Sequence, residues 1–159
     1  MLWIARLSAG IAIVLFAFGC STPSKAQTPE EERYLFVVDA TPLEFTVPIT
    51  ELDGAVDRAV EWLVKYGGLE ASESDRAAFK DMVRTTHAGI IGGPMQYRVA
   101  DLGSQGYMVA FALAGEIVSV KVTHEHEGGF GLGKAVARNA RILAHYIRTR
   151  ELIPHLVET

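Results

Sequence analysis

The chain has 159 residues, 49% of them hydrophobic, with 19 acidic and 15 basic side chains and a formal net charge of −4. An acidic balance without a recognisable binding motif excludes a nucleic-acid partner, and the single cysteine, Cys20, excludes a disulfide within the chain. Residues 34–159 have the length of one domain and enough apolar side chains for a real core.

The N-terminal stretch MLWIARLSAGIAIVLFAFGC carries one positive charge, at Arg6, no acidic residue, and an apolar run from Ile11 to Phe18. A short basic region, a short apolar core and small residues beyond it describe a secretory signal peptide. The run is shorter than the about 20 apolar residues of a membrane span, although an uncleaved anchor counted from Leu2 comes close. Gly19 and Cys20, at the end of the run, resemble the lipobox of bacterial lipoprotein precursors, with Ala17 and Phe18 departing from its usual leucine and small residue. An alternative is an ordinary signal-peptidase site at Ser24-Lys25-Ala26, which releases a soluble exported chain beginning at Gln27.

The lipoprotein resemblance also accounts for the lone cysteine and is the reading adopted. It implies removal of residues 1–19, acylation of Cys20, and a membrane-anchored protein facing the periplasm or the cell surface. No aspartate follows Cys20, which by the same resemblance implies outer-membrane sorting where such a membrane exists. Each buried methylene of an acyl chain contributes about 0.8 kcal/mol, so two or three chains anchor stably.

Residues 20–33 are polar and rich in Ser, Thr, Pro and Glu, a composition that reads as a flexible tether. In the domain that follows, YLFVVDA reads as a strand. LEFTVPI reads as a second, with Leu43, Phe45 and Val47 on one side. TELDGAVDRAVEWLVKYGG has helical spacing, with Thr50 as N-cap and Gly67 at its end. A short helix is expected at SESDRAAFKDM. Strands are expected at VRTTHAGII, MQYRVAD, YMVAFALA and EIVSVKVTHEH, joined by turn-forming segments, and a helix from about Leu132 to Leu152 closes the chain. The expectation is an α+β domain: an antiparallel sheet of about five to six strands covered on one face by two main helices.

Two features carry candidate chemistry. In THEHEGGFGLGKA (residues 123–135), strand alternation places His124 and His126 on the face of Val118, Val120 and Val122, and Glu125 and Glu127 on the other. Two histidines at i and i+2 can chelate a divalent metal such as zinc, with His87 as the candidate third ligand. The opposed glutamates argue against a catalytic constellation. The spacing from Gly128 to Lys134 matches a phosphate loop, but Ala135 stands where that loop needs Ser or Thr.

The second feature is the stripe of Lys134, Arg138, Arg141, His145 and Arg148 on the last helix, opposite an apolar stripe of Val136, Ala140, Leu143 and Ile147. It reads either as a solvated face balanced by Asp53, Asp57 and Glu61 or as a surface for an anionic envelope component or protein. The expectation from sequence is a lipid-anchored, non-enzymatic envelope protein with a binding or assembly role and no cofactor. A metal-dependent protein using the histidines, and a small-ligand binder between the sheet and the last helix, are the alternatives.

Overall fold

The first element starts from a capping box. Thr28 Oγ1 accepts from the Glu31 amide at 3.2 Å, the Glu31 carboxylate accepts from the Thr28 amide at 2.8 Å, and Pro29 takes the first helical position. The protein, seen here in a computed structural model that describes residues 26–92, 104–127 and 132–157, therefore begins with helix α1, Pro29–Asp39. YLFVVDA is helical, contrary to the strand expected from its β-branched and aromatic content. The start signals lie just upstream of it, and Tyr34, Leu35 and Val38 are buried at helical spacing. Residues 29–33, expected in the tether, form the first turn of α1.

Strand β1, Glu44–Pro48, leads through a 3₁₀ turn into helix α2, Leu52–Tyr66. Glu51, not Thr50, precedes α2, and its side chain makes no capping bond. Helix α3, Glu73–Thr86, has its own capping box from Ser72 and Asp75. Hydrogen bonds from Ser72 hold the Asp75 carboxyl below its ordinary pKa. The helix continues through VRTT, so the strand expected at VRTTHAGII is reduced to β2, Ala88–Gly92. His87 turns the chain between them in a left-handed conformation, φ 61°. Strands β3, Ser104–Ala114, and β4, Ile117–Glu127, form a hairpin whose turn places Gly115 at φ 62°. Helix α4, Leu132–Thr149, follows.

The described residues form one antiparallel sheet of four strands, ordered β1-β4-β3-β2. Among the described residues this is an α+β fold with four helices, the two main ones and the short one expected together with α1, and with fewer than the expected five to six strands. One expected strand is helical, and another, MQYRVAD, lies outside the described residues.

The register puts Phe45, Val120 and Phe111 in one row and Val47, Val118 and Leu113 in the next. On that face Phe111, Val118 and Val120 are buried and Phe45, Val47 and Leu113 half-buried against the core, whereas Glu44, Thr46, Lys121 and Ala112 on the other are exposed. Trp62 of α2 meets Tyr107 of β3 edge to face at 5.2 Å, and Phe79 of α3 meets Phe111 at 5.8 Å. Gly89 of β2 lies directly under α3, where a Cβ would stand 2.9 Å from a Val83 methyl. The acidic residues of α2 find their partners mainly on α3: Lys80 pairs with Asp57 at 2.6 Å, and Arg84 pairs with Asp53. Glu61 accepts from the Tyr146 hydroxyl of α4 at 2.9 Å.

Candidate functional site

The sheet register separates the candidate metal ligands. His124 stands opposite Tyr107 on β3, and His126 stands opposite Gln105. The His87 carbonyl accepts from the amide of Leu113, six residues further along β3, a distance of about 20 Å at the rise of an extended strand. His87 and His124 thus lie toward opposite ends of the sheet and flank β3 from different sides. Among the described residues, no three His, Cys, Asp or Glu side chains come together in a way that would hold a metal ion. Val118, Val120 and Val122 are buried and His124 is half-buried beyond them, while Glu125 is exposed. The glycine run at 128–131 and Cys20 lie outside the described residues.

The basic stripe of α4 does not form one free surface. Lys134 is exposed. Arg138 is half-buried and engaged in an interaction of its own. Arg141 donates to the Asp39 and Thr41 carbonyls at 3.1 and 3.0 Å, which supplies partners at the C-terminal end of α1. Its charge is therefore turned to the fold rather than outward. Arg148 lies over the Phe45 ring at 5.7 Å. His145 is only 2% exposed.

His145 sits at the back of a cleft of about 570 Å³ between α1 and the segment that follows α4. Glu30, Arg33, Tyr34 and Val37 form the α1 wall; Arg150, Glu151, Leu152 and Ile153 form the other. The chain reverses at Arg150, whose φ of 69° is left-handed and carries Glu151 back across the imidazole. His145 Nε2 lies 3.4 Å from the Glu151 carboxylate, and Nδ1 lies 3.5 Å from Thr41 Oγ1. With the proton on Nε2, the ring donates to Glu151. The Tyr34 ring packs edge-on to His145 at 5.4 Å.

Tyr34 is 8% exposed, and its hydroxyl is buried without a hydrogen-bond partner among the described residues. Burial raises its pKa above the ordinary tyrosine value and the charge of Glu151 adds to this, while the backbone at Ile153 acts in the opposite direction. The group thus stays protonated, with no acceptor within hydrogen-bond reach among the described residues although two carboxylates line the same cleft. Thr41, His145 and Glu151 line up in the order of a nucleophile, a base and an orienting acid. Thr41 is 2% exposed, however, and its hydroxyl donates to the Val37 carbonyl at 2.9 Å. A nucleophile must reach substrate with its proton shared with the base, and this hydroxyl does neither.

Fold and cleft together define a small α+β protein with a polar cleft between helix α1 and the segment that follows α4. Set against known protein families, curated proteins and solved structures, the chain matches none. This cleft is not the one expected from sequence, which put His145 on a stripe read as either a solvated face or an anion-facing surface and placed the alternative small-ligand site between the sheet and the last helix. Its walls come from opposite ends of the domain, and the one local signal was a histidine beside the apolar stripe of α4.

Proposed function

We propose that the chain is a lipid-anchored, non-enzymatic binding module of the cell envelope, tethered through Cys20 and taking a small ligand in the cleft between α1 and the end of α4. The observation that carries the binding role is the buried, unpartnered Tyr34 hydroxyl at the wall of a cleft backed by His145. Buried polar groups are nearly always hydrogen-bonded, and one without a partner beside a cleft supports a ligand as the missing partner. The anchor rests on the lone cysteine at the end of the N-terminal apolar run.

The two parts fit together sterically. Eight residues separate Cys20 from the start of α1, a span of at most about 30 Å, so the α1 wall of the cleft stays close to the bilayer. Cells fed radiolabelled palmitate are expected to label the wild-type chain and not Cys20→Ser, and the variant is expected to leave the membrane fraction. Equal labelling of both chains, or none of either, contradicts the anchor.

A further inference from the structure

The charges lining the cleft differ in how far they are already used. Arg150 is paired with Glu51 at 3.3 Å, and Glu151 faces His145. Arg33 and Glu30 are exposed on the first turns of α1, three residues apart, and neither makes an ion pair among the described residues. One cation and one anion therefore remain open, next to the Tyr34 donor. Val37 and Ile153 supply apolar surface between the two walls.

We propose that the cleft binds a zwitterion with an apolar body: a free amino acid or a short peptide with both termini charged. The ligand carboxylate accepts from the Tyr34 hydroxyl and faces Arg33; its ammonium faces Glu30 and the outer side of Glu151; its side chain rests on Val37 and Ile153. A simple anion would meet the carboxylates of Glu30 and Glu151, and a simple cation would meet the guanidinium groups of Arg33 and Arg150. A neutral ligand carrying both charges offsets each. The cleft volume of about 570 Å³ is in the range of small-molecule sites. This assignment rests on the binding-module reading but not on the anchor.

The test is saturation-transfer NMR on the full chain in detergent micelles with three probes: Leu-Leu, N-acetyl-Leu-Leu, and N-acetyl-Leu-Leu amide. Leu-Leu is expected to bind, with each blocked terminus weakening it by about tenfold, the size of one lost charge-assisted hydrogen bond. Tyr34→Phe keeps the ring against His145 and is expected to weaken Leu-Leu by a similar factor with an unchanged melting temperature. Equal binding of all three probes, abolished by Tyr34→Phe, overturns the zwitterion and leaves a ligand site of another class. No binding of any probe overturns the ligand class and removes the support for the cleft as this chain's binding site.

Discussion

Trp62→Ala is expected to be the most damaging single truncation in the domain, costing about 3–5 kcal/mol by the measure of large buried aromatics. Trp62 is 1% exposed and sits where α2 crosses the sheet, with Tyr107 at 5.2 Å and Tyr66 at 5.3 Å. Removing the indole opens a hole bounded by a strand on one side and a helix on the other, neither of which can collapse without moving the buried face of β3. Domains of this size are stable by about 5–15 kcal/mol, so the loss consumes a large part of the total. Its Nε1 has no hydrogen-bond partner among the described residues, which makes Trp62→Phe a discriminating control. Phenylalanine keeps most of the apolar contact and removes an unpaired donor, so it is expected to cost about 1–2 kcal/mol. Denaturant melts of the two variants check this; equal losses would mean that the indole nitrogen has a partner.

Arg58→Leu is expected to cost about 2–3 kcal/mol, with the loss concentrated at the end of α4. Arg58 is 8% exposed, and its Nε donates to the Ile147 carbonyl at 2.7 Å. Ile147 lies in the last turn of α4, whose carbonyls have no acceptor role within the helix, and a cation there also suits the helix dipole. Burial and the neighbouring Arg150 lower the Arg58 pKa, opposed by Glu51 at 3.8 Å. Leucine fills much of the space but leaves the carbonyl dry and unpaired. Because Arg150 and Glu151 follow directly, hydrogen exchange in residues 147–153 is expected to accelerate more than exchange in β3 or β4. Uniform acceleration would show instead that Arg58 supports the whole domain equally.

Much of the fold was legible because its periodicities are local. The alternation of Val118, Val120 and Val122 marked β4 and its buried face, and the four-and-three spacing in residues 134–148 marked α4. What failed was a contest between composition and start signals. YLFVVDA is rich in strand-formers, but Thr28, Pro29 and Glu31 had already committed the chain to a helix. VRTT failed similarly, because α3 ends where His87 turns left-handed rather than where its apolar pattern fades.

The cleft was out of reach for a different reason. Thr41 and His145 are 104 positions apart, and no spacing rule brings them together. Arg141 shows the same limit: a surface cation by its stripe, it is a C-terminal partner for α1 once the two helices pack.

Intact-mass analysis of the mature protein extracted from membranes tests the central claim most directly. The account predicts a chain beginning at Cys20 and heavier than its sequence by the mass of two or three acyl chains and their glycerol linker. An unmodified chain beginning at Gln27 would contradict it.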